Sequence, residues 1–156
     1  MSHSGVILVV EDGEDDILIL TQAFRAAGIL NPVMTVRNGQ EAIWYLEGGA
    51  NYWSRTEFPL PRLILLDLKM PGIDGFEVLA WIKRRKEFAG IAVVVLTGSN
   101  DLKDVQRAYD LGANSFIVKE AEFRQTVRLC SLLQDYWMGV NRAYSVQTRA
   151  RKVERA

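Results

Sequence analysis

Four apolar runs of this chain each lead into a side chain that could take part in phosphate or metal chemistry. In chain order, these side chains are Glu11, Asp12, Asp67, Thr97 and Lys119. The runs before Asp67 and Glu11 read as strands buried in a parallel sheet, because aliphatic residues follow one another without polar alternation. The runs before Thr97 and Lys119 also read as strands. The carboxyl ends of such strands meet at one edge of an open α/β sheet, where ligand sites lie. We therefore expect these five side chains to converge.

Three carboxylates in one place would repel one another, and that repulsion would raise the pKa of at least one of them. A hard divalent cation with oxygen ligands, such as Mg²⁺, would relieve the repulsion. A lysine and a threonine beside that ion suit an incoming phosphoryl group. The sequence therefore predicts a site for magnesium-dependent phosphate chemistry.

Strands and helices alternate along the chain, which predicts a (βα)₅ plan: a doubly wound parallel sheet of five strands with helices on both faces. Gly28 should stop the first helix, and the turn of Pro71, Gly72 and Gly75 should precede the third. The predicted helices and the second strand span 16–27, 33–36, 39–47, 102–111 and 122 to about 144, and a further helix carries Phe76, Leu79, Ala80 and Lys83.

The strand-end residues, in this order and spacing, resemble the receiver domain of two-component response regulators over roughly 6–136. The resemblance implies a flavodoxin-like strand order of 2-1-3-4-5. It implies that Asp67 accepts a phosphoryl group and that Mg²⁺ is held by Glu11, Asp12, Asp67 and the Lys69 carbonyl. It also implies that Thr97 is the switch hydroxyl, Lys119 the phosphate-binding lysine and Phe116 the switch aromatic.

Three features narrow the resemblance to the single-domain regulators that accompany bacterial and cyanobacterial phytochromes. Glu120 replaces the proline that usually follows the lysine, Tyr136 and Trp137 adjoin in a long last helix, and the loop before the third strand is extended. The resemblance implies phosphorylation by a sensor histidine kinase, and it makes a phytochrome the candidate kinase. It also implies a switch that phosphorylates and dephosphorylates itself rather than an enzyme, and signalling through a downstream protein or phosphorelay.

Composition limits the classes of partner and location. Basic and acidic residues number 19 each, which gives no overall electrostatic case for nucleic acid. No apolar stretch approaches the roughly 18 residues of a membrane span. Cys130 is the only cysteine, which fits a reducing cytosol. We expect a cytoplasmic protein with a tail at 1–5, one receiver domain at 6–144 and a polar tail at 145–156, too short for a DNA-binding domain.

Three other functions compete with this interpretation. A phosphatase or mutase of the haloacid dehalogenase type also uses a strand-end aspartate, but it needs a second aspartate two residues on, where Lys69 stands. A dinucleotide enzyme needs a glycine-rich turn after the first strand, whereas the acidic run that starts at Glu11 would repel phosphate. A receiver that folds but takes no phosphate is the third.

Two segments exceed the minimal (βα)₅ plan. The loop 48–62 holds Tyr52, Trp53 and Phe58, and we interpret it as a surface loop held by its aromatic residues. The last helix, about 33 Å long at 1.5 Å per residue, carries two apolar stripes. The first should pack on the sheet, and the second predicts a homodimer, with cover by the long loop or a neighbouring helix as the alternative. The stripes are Phe123, Val127, Cys130 and Trp137, and Leu129, Leu132, Tyr136 and Val140.

Overall fold

The computed structural model describes residues 5–142. Within them, five parallel strands form one sheet in the order β2-β1-β3-β4-β5. The strands are β1 Val6–Val10, β2 Val33–Val36, β3 Pro61–Leu66, β4 Ala92–Thr97 and β5 Ser115–Val118. The α-helices are α1 Glu14–Ala26, α2 Gly39–Glu47, α3 Gly75–Lys83, α4 Leu102–Asp110 and α5 Phe123–Leu133. The predicted doubly wound fold and its strand order are confirmed.

The continuous apolar runs form the central strands because both faces of the sheet are covered. Along β3, Leu63 and Leu65 point into a core shared with α1 and α5, whereas Ile64 and Leu66 point into a core shared with α2, α3 and α4. All four are at most 1% exposed. Burial on both faces leaves no place for polar alternation, so the first polar side chain after each run marks the strand's end.

The helices begin and end close to their predicted bounds. Helix α1 starts at Glu14 rather than Asp16, because its first turn is acidic and carboxylates are favourable at a helix amino terminus. It ends near Gly28, whose φ of +74° is the left-handed conformation that glycine adopts readily. Asn38 and Asp74 cap α2 and α3 by accepting hydrogen bonds from backbone N–H groups three residues ahead.

The long loop before β3 is held by aromatic packing, as the sequence predicts. The rings of Tyr45, Tyr52 and Phe58 lie within 5.9 Å of one another, centroid to centroid. The Arg55 guanidinium donates hydrogen bonds to the carbonyls of Tyr45, Leu46 and Phe58. It therefore ties the loop to the carboxyl end of α2. Trp53 is 76% exposed and takes no part in this cluster.

The last helix differs from its predicted form. The α-helical backbone stops at Leu133, a π-helical segment follows over Gln134–Val140, and Asn141 is extended. Arg62 on β3 donates hydrogen bonds of 3.1 and 2.7 Å to the carbonyls of Met138 and Asn141. These bonds satisfy terminal carbonyls that a continuing helix would have used itself. The expected end near Tyr144, the predicted tail at 145–156 and the predicted tail at 1–5 apart from Gly5 lie outside the described residues.

The two predicted apolar stripes are also modified. Cys130 is fully buried, and Val127 and Trp137 pack against the core, but Phe123 is 45% exposed because it begins the helix at the edge of the sheet. Leu129 is half-buried and packs against the same core. The exposed apolar residues of the second stripe are therefore Leu132, Tyr136 and Val140.

No helix among residues 5–142 combines the length and the apolar character that crossing a bilayer requires.

Candidate functional site

Backbone hydrogen bonds extend the sheet to the predicted site residues. The Glu11 N–H donates to the Val36 carbonyl at 3.1 Å, and the Asp67 N–H donates to the Val10 carbonyl at 3.0 Å. The Lys119 N–H donates to the Thr97 carbonyl at 2.8 Å. The backbone of the site is therefore a continuation of the sheet, which holds the carboxyl ends of neighbouring strands side by side.

Three carboxylates meet at this edge. One oxygen each of Glu11, Asp12 and Asp67 lies within 4.8 Å of the others. Glu11 and Asp67 are buried, whereas Asp12 is exposed, so the cluster opens to solvent on one side. Carboxylate oxygens are the ligands that Mg²⁺ prefers, and an ion with one open side keeps several waters. The donor set therefore fits a hard divalent cation.

The Lys119 ammonium lies among carboxylates from three elements. Its distances are 2.6 Å to Glu11 Oε2, 3.0 Å to Asp16 Oδ2 and 3.5 Å to Asp67 Oδ2. Burial alone would lower the pKa of this ammonium, but the hydrogen bonds to Glu11 and Asp16 outweigh it, so the pKa of Lys119 is raised. Lys119 is therefore a permanent positive charge over the ordinary pH range.

Glu11 is the carboxylate whose protonation the site perturbs most clearly. Burial raises the pKa of Glu11 to about 6, although hydrogen bonds from Lys119 and from the Gly13 N–H act in the opposite direction. Nearby Asp67 adds like-charge repulsion. A carboxyl group with a raised pKa in an acidic cluster is the condition that a bound cation relieves.

The remaining predicted residues occupy the neighbouring strands and a loop. Thr97 is buried at the end of β4, and Phe116 is half-buried in β5 against the core on the α4 side. The Phe116 N–H donates a 3.1 Å hydrogen bond to the hydroxyl of Tyr109 on α4. Lys69 lies in the loop after Asp67 with its side chain exposed. The part of its carbonyl in metal binding stays a prediction.

Gly75 supports the site in a way that the sequence reading missed. A Cβ at this position would lie 2.1 Å from the Asp67 carbonyl oxygen and 2.6 Å from Leu68 Cα. The Gly75 N–H also donates a 2.9 Å hydrogen bond to the Leu68 carbonyl. Close approach, rather than turn geometry alone, therefore requires glycine at the start of α3. The Asp74-Gly75 pair was visible in the sequence, but only as a turn signal.

Asp16 is the second residue missed. The apolar periodicity made it the start of a helix, and no local pattern connects it with Lys119, which lies 103 residues away. A cavity of about 120 Å³ opens beside this pair, between α1 and α5. Its apolar walls include Ile19, Leu96 and Phe123.

Comparison with known proteins places this geometry in a family. The response regulator receiver domain family matches residues 7–131, most of the chain. The chain is a member of the response regulator receiver domain family.

Two curated relatives cover the receiver domain almost end to end. The probable methanogenesis regulatory protein FilR2 of Methanothrix harundinacea is 38% identical over 88% of this chain and 86% of its own. The response regulator Rcp1 of Synechocystis is 33% identical over 85% of this chain and 88% of its own. Both are similar proteins that are regulators by name.

Solved structures agree with these relatives. The phosphorylated cyanobacterial phytochrome response regulator RcpA has a TM-score of 0.81 and 35% identity, covering 90% of this chain and 99% of its own. Mn²⁺-bound Rcp1 has a TM-score of 0.79 and 31% identity, covering 91% of this chain and 100% of its own. The predicted similarity to phytochrome response regulators is confirmed. As a receiver domain, the chain is a phosphoacceptor switch, and the haloacid dehalogenase alternative gains no support.

Proposed function

We propose that this receiver domain takes a phosphoryl group from a sensor histidine kinase onto Asp67 and signals through phosphorylation-dependent contacts with another protein. The observation that carries the proposal is the convergence of Glu11, Asp12, Asp67 and Lys119 at one edge of the sheet. Asp67 is buried within this cluster, with the Lys119 ammonium 3.5 Å from one of its carboxylate oxygens.

The transfer itself requires mainly positioning and charge from the chain. An Asp67 oxygen attacks the phosphorus of a phosphohistidine in line, an O–P bond forms, the P–N bond breaks and the imidazole leaves with the electron pair. Lys119 donates hydrogen bonds toward the equatorial phosphoryl oxygens. Asp12, Asp67 and the Lys69 carbonyl would hold Mg²⁺, with Glu11 in or near its coordination sphere. When bound, the ion supplies positive charge against the acidic cluster and the phosphoryl oxygens.

Intact mass spectrometry with acetyl phosphate and Mg²⁺ tests the acceptor. The wild type should gain one phosphoryl group that maps to Asp67, and chelation of the metal should prevent the gain. Asp67→Asn should gain none, whereas Asp110→Asn, an exposed acid on α4, should behave as the wild type. Phosphate retained on Asp67→Asn would overturn the assignment. Continuous turnover of p-nitrophenyl phosphate without accumulation of a phosphoprotein would favour the haloacid dehalogenase alternative instead.

The domain should also catalyse its own dephosphorylation. The acyl phosphate on Asp67 would lie beside solvent on the Asp12 side of the cluster, where water can attack phosphorus and expel the carboxylate. Label should be lost with first-order kinetics from native phosphoprotein at a rate that chelation reduces. Equal loss with and without the chelator would show that the cation contributes nothing to hydrolysis, and equal loss from native and urea-unfolded phosphoprotein would show that the folded site contributes nothing.

Phosphorylation should be read out through Thr97 and Phe116. A hydroxyl at the end of β4 can donate a hydrogen bond to a phosphoryl oxygen, and the half-buried ring on β5 can move into the space that the threonine leaves. Thr97→Ala should still take phosphate but lose the change in amide spectra across residues 98–120. Unchanged amide spectra in phosphorylated wild type would exclude this coupling.

A protein donor is favoured by the apolar surface beside the acceptor. Leu18, Ile19 and Phe123 are 56%, 43% and 45% exposed, and the latter two line the cavity next to Lys119. A partner bundle that presents phosphohistidine would cover these side chains. Ile19→Ser should slow transfer from a kinase and leave acetyl phosphate labelling unchanged, because it removes apolar surface without adding a charge beside Lys119. The similarity to Rcp1 and RcpA makes phytochrome-linked kinases the first donors to assay, by following ³²P transfer.

We also propose the homodimer predicted from the last helix, with three exposed apolar residues at its interface. Leu132, Tyr136 and Val140 are 56%, 51% and 75% exposed, and a twofold contact would bury them against their copies. Light scattering should give twice 17.6 kDa for the wild type. Leu132→Glu combined with Tyr136→Glu should give the monomer mass, with Leu30→Glu as an exposed control. A monomeric wild type at tens of micromolar would end the dimer proposal.

A further inference from the structure

The Lys119 ammonium lies closer to two other carboxylates than to the acceptor. Glu11 is 2.6 Å away and Asp16 is 3.0 Å away, whereas Asp67 is 3.5 Å away. Glu11 belongs to the proposed metal site, so a cation would draw its carboxylate away from the ammonium. Asp16 belongs to helix α1 and has no part in that site. It is therefore the carboxylate that would remain as a competitor for Lys119.

The orientation of Asp16 is not explained by its position in the first turn of α1. Acidic residues are generally favourable there, and Glu14 and Asp15 meet that preference equally well. The Gly13 N–H donates to Glu11 Oε1, not to Asp16. Within residues 5–142, the side-chain hydrogen bond that Asp16 makes is the one it accepts from Lys119. Glu14, by contrast, pairs with Arg37 at 2.9 Å.

We propose that Asp16 is a positioning residue that competes with the phosphoryl group for Lys119. The inference depends on the proposed role of Asp67 as the phosphoacceptor. Before transfer, Asp16 holds the ammonium toward α1 and adds one negative charge beside the route of an anionic donor. After transfer, the phosphoryl oxygens must attract Lys119 away from Asp16. Asp16 thereby limits both the loading rate and the lifetime of the phosphoprotein.

The Asp16 side chain is 49% exposed, so solvent screens the pair and the effect should be moderate. Asp16→Asn should accelerate labelling by acetyl phosphate roughly threefold at low ionic strength, because one repelling charge is removed from the site. The same variant should also lose phosphate more slowly than the wild type. Asp16→Glu should restore wild-type kinetics, because the carboxylate is kept. Asp15→Asn is the matched control, because it removes the same charge from the same turn. It should change neither rate, because the carboxylates that pair with Lys119 within residues 5–142 are Glu11, Asp16 and Asp67.

The charge of the donor separates a role at Lys119 from a merely structural one. Acetyl phosphate is more negative than phosphoramidate, so the acceleration should be larger with acetyl phosphate. It should also shrink as salt is added, because the Debye length falls to about 3 Å at 1 M. A structural change would alter labelling by both donors equally and would survive added salt. Urea unfolding of each variant shows whether the fold is intact, and Asp16→Ser replaces Asp16→Asn if the latter fails to fold.

The outcomes distinguish this inference from the proposed function. A wild type that takes no phosphate on Asp67 from either donor overturns the proposed function. If the wild type is labelled on Asp67 and Asp16→Asn shows the same kinetics as the wild type, the inference about Asp16 is overturned and the proposed function stands. Slower labelling of Asp16→Asn, or equal acceleration in Asp15→Asn, also overturns it. Acceleration confined to Asp16→Asn, larger for the more anionic donor and lost in salt, supports it.

Discussion

The two ends of the parallel sheet use charged side chains in opposite ways. At the carboxyl end, one ammonium is shared among the carboxylates of Glu11, Asp16 and Asp67. At the amino end, the guanidinium groups of Arg55 and Arg62 donate to neutral backbone carbonyls. Charges at the first end have several alternative partners, whereas those at the second have fixed ones.

The directions of the helices explain this division. Helices α1 and α3 begin at the carboxyl end of the sheet, where their positive amino termini favour acids. The same helices and α2 run back to the amino end, where terminal carbonyls need donors. Arg55 binds the last carbonyls of α2, and Arg85 donates to the Trp81 carbonyl near the end of α3. One end can therefore change its charge while the other keeps the fold intact.

Asp12→Ala should produce the largest functional change at the carboxyl end and almost no change in stability. Asp12 is exposed, so its removal leaves no cavity, but it deprives the acidic cluster of one of its three proposed cation ligands. Labelling by acetyl phosphate should fall by at least roughly 100-fold, because loss of a residue that only orients a metal ligand already costs about 10- to 100-fold. Urea unfolding should agree with the wild type. Normal labelling of Asp12→Ala would show that Asp12 is not needed to hold the cation.

Arg62→Met should produce the reverse result at the amino end. It removes two hydrogen bonds to the carbonyls of Met138 and Asn141 and keeps the apolar stem of the side chain. The free energy of unfolding should fall by about 2 kcal/mol, since hydrogen bonds from a charged donor are among the stronger ones. Labelling of Asp67 should be unchanged at temperatures where the variant is folded. A loss of labelling in folded Arg62→Met would contradict the division between the two ends.

In the metal-free protein, Glu11 at the carboxyl end of the sheet should make the free energy of unfolding depend on pH. Burial raises the pKa of Glu11 to about 6. The contribution of the Glu11 carboxyl group to the free energy of unfolding is therefore fully present below its pKa in the unfolded chain and is lost as pH rises through 6. Between pH 4.5 and 7, the free energy of unfolding of the wild type should fall by roughly 1 kcal/mol more than that of Glu11→Gln. Added Mg²⁺ should reduce the loss, because a cation stabilises the ionised form. Parallel pH profiles of the two proteins would contradict this.

Glu14→Gln should give the smallest effect. Its partner Arg37 belongs neither to the carboxylate cluster around Lys119 nor to the arginines that bind backbone carbonyls at the amino end. Glu14 and Arg37 are 2.9 Å apart, but their side chains are 80% and 58% exposed. An exposed pair of this kind contributes about 0.5 kcal/mol or less. Neither unfolding nor labelling should change measurably. A large change in labelling would mean that any charge near the site alters the labelling rate, and it would argue against a specific role for Asp16.

The sequence was sufficient for the sheet and for most of the site. A strand buried on both faces must be apolar throughout, so Val6–Val10 and Leu63–Leu66 could be recognised, and the polar residue after each run followed directly. Apart from the last helix, helix ends were correct to within about two residues, and Gly28 and Gly112 stand beside two of them. These features are local, and local features can be read from a single sequence.

The errors came from contacts between distant parts of the chain. Apolar periodicity continues past Leu133, but the backbone becomes π-helical there and ends beside Arg62, which is 76 residues away from Met138. The pairing of Asp16 with Lys119 is equally remote. Gly139 was the one local sign of a weakened helix, because glycine is unfavourable in a helix interior.

The Tyr109 hydroxyl has a consequence for association between molecules. Strand β5 lies at the edge of the sheet, and an edge strand offers free amide hydrogens to any extended chain that approaches it. Tyr109 already accepts the Phe116 amide hydrogen, so a strand from another molecule would first have to displace a phenol. Tyr109→Phe leaves that hydrogen unbound and opens the position to intermolecular strand pairing. Tyr109 therefore occupies an outward-facing amide hydrogen of the edge strand that carries the proposed switch aromatic.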